Sequence, residues 1–284
     1  MTDSTIALSV KPRRSRPAFN AVGLVSLAVL LFWLFAAVIG PALIANTGSS
    51  MGEAAVFAPV SAAHWFGTDF LGRDVFARVV QGARYTVGVA LSATLLASGS
   101  GTLLALLAAS SGRWLDASLS RAVDTLTSVP GKMFALIMVA AFGSSMPTLV
   151  VTAAIIYLPG AYRIARSLAV NIDAMDYVTV ARTRGEGRLY IMLREILPNI
   201  IGPMLADLGL RFVYVVLLLA SLSFLGLGVQ PPAADWGSLV RENIGALPMG
   251  SAAIIMPALS IASLTIAVNL LIDNLPGRSA RGAH

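Results

Sequence analysis

The residues that commonly do chemistry are few in this chain. It has two histidines, His64 and His284, and no cysteine. One histidine falls in a loop and the other is the last residue, so a histidine metal site is not expected. Without cysteine there is no disulfide, thiolate site or thiol nucleophile. Ser92, Ser98 and Ser221 lie in apolar stretches with no histidine to take their protons. The only Gly-Lys pair, Gly131-Lys132, is followed by Met133, so no Gly-x-x-x-x-Gly-Lys-Ser/Thr loop cradles nucleotide phosphates. No catalytic residue, metal or cofactor is expected.

Charges in apolar surroundings are the remaining candidates. Asp207 and Arg211 stand at i, i+4, which places them on one helix face. Ions inside a membrane normally face protein or water, so they read as a structural ion pair or, alternatively, as pathway lining. Lys132, two residues after Pro130, reads as snorkelling to the inner interface. Asp69, Arg73 and Asp74 sit in a glycine-punctuated segment and read as a self-satisfied turn with an inter-subunit contact. Gly88, Gly99, Gly101 and Gly160 read as close helix packing.

Composition explains why so many charges stand in apolar company. The chain is 57% apolar and 12% charged, with a mean hydropathy of +0.80. A soluble domain carries about 25% charged residues, so this surface must meet lipid. The net charge of +6 and pI near 10.2 suggest no nucleic-acid partner, because the arginines are spread between apolar stretches. No internal repeat is visible.

Six stretches are long enough to cross a bilayer as helices. They are Ala21–Ile44, Tyr85–Ala109, Leu126–Phe142, Pro147–Ala165, Ile200–Leu222 and Ala252–Ile272. With the N-terminus inside, the inner segments carry fourteen lysines and arginines and the outer ones four, which orients both termini to the cytoplasm. The first apolar run is too long for a signal peptide and reads as a retained span. The expected organisation is a cytoplasmic tail at 1–20, a first transmembrane helix at 21–44 and an outer loop at 45–84. A five-helix core at 85–274 and a cytoplasmic tail at 275–284 complete it. A second outer loop covers Gly226–Gly250.

A polar insert, 167–199, separates the fourth and fifth spans. Met175, Val178 and Ala181 or Arg182 recur at helical spacing. Gly185 and Gly187 then break the helix, since glycine tolerates positive φ. Leu189, Met192 or Leu193, and Ile196 mark a second short helix, and Pro198 suits the first turn of span five. The spacing predicts helix, glycine turn, helix along the inner membrane face: a compact knob that a soluble partner could grip. Arg182, Arg184 and Arg188 read individually as topology signals and contacts to membrane lipid.

At this insert the chain resembles the permeases of bacterial ABC importers. Their loop reads Glu-Ala-Ala-x-x-x-Gly, with Ile-x-Leu-Pro about ten residues on. Ala181, Gly185 and Ile196-Leu197-Pro198 match, while Thr179 and Val180 stand where Glu and Ala would be. Asp176-Tyr177-Val178 is similar to the second permease of the dipeptide, oligopeptide and nickel branch. So are Phe66-Gly67-Thr68-Asp69 with Gly72-Arg73-Asp74-Val75, and Ser221 to Pro232 with Trp236-Gly237. Glu195 stands where that branch often has histidine, and Leu219 where it often has glutamate.

The resemblance implies an all-α polytopic fold with six transmembrane helices, the type I permease architecture. It implies a non-enzymatic subunit working with a second homologous permease, two cytoplasmic ATP-binding subunits and an outer solute-binding protein. By match and turn geometry together, Asp176, Tyr177, Ala181, Arg182, Gly185 and Pro198 are the candidates for coupling to the ATPases. The rival classes are an ion-coupled secondary transporter, with Asp207 as its acid, and a membrane-embedded hydrolase, for which the spans hold no histidine.

Overall fold

The computed structural model describes residues 21–44 and 54–274. Both predicted tails and the first part of the predicted outer loop, 45–53, lie outside the described residues. The elements are α1 (Ala21–Val38), α2 (Gly40–Leu43), α3 (Val75–Ala109), α4 (Arg113–Leu126), α5 (Gly131–Phe142) and α6 (Met146–Asp173). They continue with α7 (Asp176–Thr183), α8 (Arg188–Tyr190), a π-helical turn (Ile191–Ile196), α9 (Leu197–Phe224), α10 (Trp236–Glu242), a 3-10 turn (Ile244–Met249) and α11 (Ala252–Asp273). No strand occurs among the described residues, and a single β-bridge joins Thr68 and Asp74. Five helices are long and apolar enough to cross a membrane, or six when the bent pair α4–α5 counts as one span. The fold is an all-α polytopic bundle.

Four boundaries depart from the sequence expectation, each for a physical reason. Helix α3 begins at Val75, ten residues before Tyr85, because Asp74 caps it by accepting the Phe76 N–H and because Arg78 finds an ion partner inside the chain. The third span reaches back to Arg113 instead of starting at Leu126, and it is broken at Pro130. Pro130, which lacks an N–H and bars its predecessor from helix, divides α4 from α5 with a bend of 76°. At twelve residues α5 is only about 18 Å long, too short to cross alone. Helix α6 runs to Asp173, well past Ala165, and its arginines are paired sideways: Arg163 with Asp124 at 2.8 Å and Arg166 with Asp116 at 2.5 Å.

The fourth departure matters most for function. The second helix of the insert does not stop before span five; Arg188–Phe224 is one helix of 37 residues. Pro198 stands in the first turn of α9, as expected, with the π-turn running straight into it. A proline there removes a bond to the carbonyl four residues back, and the preceding π-turn absorbs the mismatch, the Leu197 N–H bonding five residues back to Met192.

Helices α3 and α6 pack side by side through Gly101, where a Cβ would stand 2.7 Å from that of Ala161. Gly160 likewise lets Arg211 approach. Gly88 and Gly99 face open space within the chain, so the expected close packing there is not made by this chain's own helices. One apolar core joins α1, α3, α9, α10 and α11 around Trp33 and Trp236, whose rings meet edge to face at 4.6 Å. A second lies under α7, gathering Val178, Ile191, Met192 and Ile196 with Tyr162 and Ala165 of α6.

Candidate functional site

Three polar regions stand out, one at each end of the bundle and one midway. At the α7 end, Val178 and Ala181 are buried and every other α7 residue is exposed. In the following helix Ile191, Met192 and Ile196 are buried, so that of the alternatives Met192 and Leu193 it is Met192 that faces inward, whereas Leu189, expected on the same apolar face, is exposed. Met175 is exposed too. The π-turn rotates the face by packing one more residue per turn.

Gly185 ends α7 as the sequence predicts. Its φ is +85°, the Gly185 N–H donates to the Arg182 carbonyl and the Glu186 N–H to that of Ala181. These two bonds form a Schellman cap, which satisfies carbonyls a helix end would leave open. Gly187 needs no positive φ; it precedes α8 in extended conformation at −74°.

Side chains then tie α7 to both flanking helices. Arg182 pairs with Asp173, the last residue of α6, at 2.5 Å. The Asn199 amide donates to the Tyr177 hydroxyl at 3.2 Å and to the Glu195 carbonyl at 2.6 Å. Asp176 occupies the first turn of α7, where negative charge suits the helix dipole. Pro198 adjoins Asn199 in the same helix. The structure thus brings Tyr177, Ala181, Arg182, Gly185 and Pro198 into one small unit.

Midway along the bundle, the Asp207–Arg211 pair is present, bidentate at 2.7 and 2.9 Å. Arg211 also donates to the Tyr157 carbonyl at 2.7 Å. Tyr157 donates its hydroxyl to the Tyr214 carbonyl at 2.9 Å. Lys132 stands partway along the bundle. Gly131 abuts Ile156, ten residues into α6, which is about 15 Å from that helix's start.

The α10 end holds what the sequence reading missed. Asp69 accepts the Leu71 and Arg73 N–H groups and pairs with the Arg73 guanidinium at 2.7 Å, the expected self-satisfied turn. Both Arg73 and Arg78 also approach Glu242 at 3.5 Å, across nearly 170 residues of chain. Arg78 donates to the Pro232 carbonyl, and the Asn243 side chain accepts from Phe70. Asp235 receives the Ser223 hydroxyl and the N–H groups of Val229 and Ser238. Burial pushes the Asp235 carboxyl above the ordinary range, and these donors pull against that. Burial likewise raises Asp74, partly offset by the Phe76 N–H and by His64. The two sequence blocks around Arg73 and Trp236 are therefore one structure: the Trp236 N–H donates to Thr86 and its indole to the Val79 carbonyl. Only the family resemblance of both blocks hinted at this.

The described chain is a bundle of membrane-crossing helices with a capped helix at one end joined to a span. Residues 101–281 match the family described as binding-protein-dependent transport system inner membrane component. Similar chains include the dipeptide transport system permease protein DppC of Alkalihalophilus pseudofirmus, 30% identical over 90% of this chain and 84% of that one. The glutathione transport system permease protein GsiD of Pectobacterium atrosepticum is 35% identical over 76% of this chain and 71% of its own. A putative peptide transport system permease protein of Brucella suis is 32% identical over 96% and 90%. The chain belongs to this family, the membrane permease components of ABC transporters.

Proposed function

We propose that the chain is one of two permease halves of a peptide importer, with α7 and its cap on the cytoplasmic side as the docking point for an ATPase subunit. The α10 end then faces outward, toward a solute-binding protein. Peptide is favoured because the similar chains are named for dipeptide, peptide and glutathione transport. The Arg-rich segments 163–194 lie at the α7 end, which supports its cytoplasmic placement. Metal, nucleotide and nucleic acid have no assigned role.

The observation that carries this reading is the unbroken helix from Arg188 to Phe224. A knob joined by a flexible loop could be pushed without moving the spans. Here α7 is fastened by Tyr177–Asn199 and by the buried Val178 to a helix that is itself span five. Closure of partner ATPases would move α7 and α9 together, tilting the pathway wall. An ion-coupled mechanism would need Asp207 free to exchange a cation, whereas Arg211 holds both of its oxygens.

Gly185→Val tests the reading, since a β-branched residue at φ +85° strains the cap. Transport and transport-stimulated ATP hydrolysis should both fall at least tenfold while the assembled complex still purifies. Survival of both activities removes α7 from coupling. Single cysteines at Arg184 and Trp65, placed in a chain that has none of its own, should label from the cytoplasm and the outside respectively.

A further inference from the structure

Lys132 is a cation that the bundle leaves unanswered. Its ammonium makes no hydrogen bond or ion pair with any described residue. It lines a cavity of about 320 Å³ together with Ile156, Tyr157, Tyr214, Leu217 and Leu218. No acidic side chain lines that cavity. The Tyr157 and Tyr214 rings stack at 6.5 Å and 13° to form one wall, and the Tyr214 hydroxyl is likewise unbonded to described residues.

Depth decides what this cation can meet. The Ile156 level lies about 15 Å from the start of α6, near the middle of a core about 30 Å thick. The Arg163–Asp124 pair, seven residues further along α6, is about 10 Å nearer the α7 end. A lysine stem cannot carry its charge to a headgroup from there, and ions at this depth face protein or a watery path. Nor does α5 gain from it, because the first turn of a helix is the wrong end for a cation. Arg211, the neighbouring cation, is already neutralised by Asp207. An anion entering the cavity therefore meets Lys132 unopposed.

Resting on the peptide-importer reading, we propose that Lys132 and the Tyr214 hydroxyl form a site on the translocation path for the carboxylate of the transported solute. The cavity is at the small end of the range of ligand pockets, about 300–1,000 Å³. It would take one carboxyl-terminal residue, with the stacked tyrosines against its apolar part.

The test uses the whole assembled transporter with alanyl-alanine and its carboxyl-terminal amide as probes. Lys132→Met should lower uptake of the acid at least tenfold and leave the amide within twofold, and Lys132→Arg should restore most of the loss. Equal effects on both probes, or no effect on either, overturn the proposal. A second readout does not depend on transport. Lys132 is one of two lysines, the other being Lys11, so in a Lys11→Arg background reductive methylation at this site reports Lys132 alone. Acetate should slow that labelling at least threefold and acetamide should not. If neither dipeptide is carried but acetate protects, the peptide reading fails while the carboxylate site stands. Labelling that ignores acetate, that tracks the anionic lipid content of the vesicles, or that is blocked in the solute-free assembly by a neighbouring subunit's acid overturns the site itself.

Discussion

At the α10 end charged side chains are buried and multiply bonded, whereas at the α7 end they stand exposed and the buried groups are apolar. Arg73 and Arg78 are less than a tenth exposed and share Glu242, and Asp235 accepts three donors. Arg182 and Asp173 form a pair whose arginine is 42% exposed, and α7 is held by Val178 and Ala181 with two Schellman bonds. Charges removed from water must be answered inside the protein, so the α10 end is specific and hard to rearrange. A surface helix on an apolar bed with a backbone cap keeps its shape while leaving its outer face free for a partner. One end is built to resist motion; under the proposed coupling, the other transmits it.

Mutations that strike the two ends should separate accordingly. The largest loss of stability is expected for Glu242→Ala, which leaves the buried Arg78 without a carboxylate while Arg73 keeps Asp69, and should cost about 3–5 kcal/mol in unfolding experiments. A cost below about 1 kcal/mol would mean that Arg78 finds water or another partner, and the contrast between the ends would shrink. Asp235→Asn comes next. An amide must turn its NH2 toward at least one N–H or hydroxyl donor, for about 1–3 kcal/mol.

This second deficit should also depend on pH. Because burial raises the Asp235 carboxyl, the folded state holds that proton more readily than the unfolded state. The wild-type group then adds stability below the ordinary value of 3.8 and loses it as pH rises through the raised value. The gap between wild type and Asp235→Asn should widen as pH falls; a gap that narrows is the contrary result. Smallest in stability is Tyr177→Phe, which removes one exposed hydrogen bond at 3.2 Å and should cost no more than about 0.5 kcal/mol. Its effect should fall on ATPase stimulation instead. A stability loss as large as that of Asp235→Asn would place Tyr177 in the scaffold.

Much of the knob was legible because its signals are local. Gly185 needed positive φ, Val178 and Ala181 repeated at helical spacing, and Asp207 and Arg211 stood one turn apart. Pro130 announced a break, though its 76° bend was not written in any neighbouring residue. The depth of Lys132 could not be read, because hydropathy locates a span without saying which neighbouring helix a residue lies against. The exposure of Leu189, and the choice of Met192 over Leu193 for the buried face, could not be read for a similar reason: a π-turn shifts the helical phase without leaving a mark on composition.

The sequence by itself determined that this chain crosses a membrane repeatedly, that α7 ends in a glycine cap, and which face of α7 is apolar. Those properties depend on solvation and on backbone geometry over a few residues. Only the tertiary structure decided that the insert's second helix is continuous with span five, that Arg73 and Arg78 meet Glu242, and that Lys132 stands unpaired among described residues beside Tyr157 and Tyr214. Each of these depends on groups distant in the chain, or on a helix phase set by packing, which no local pattern encodes.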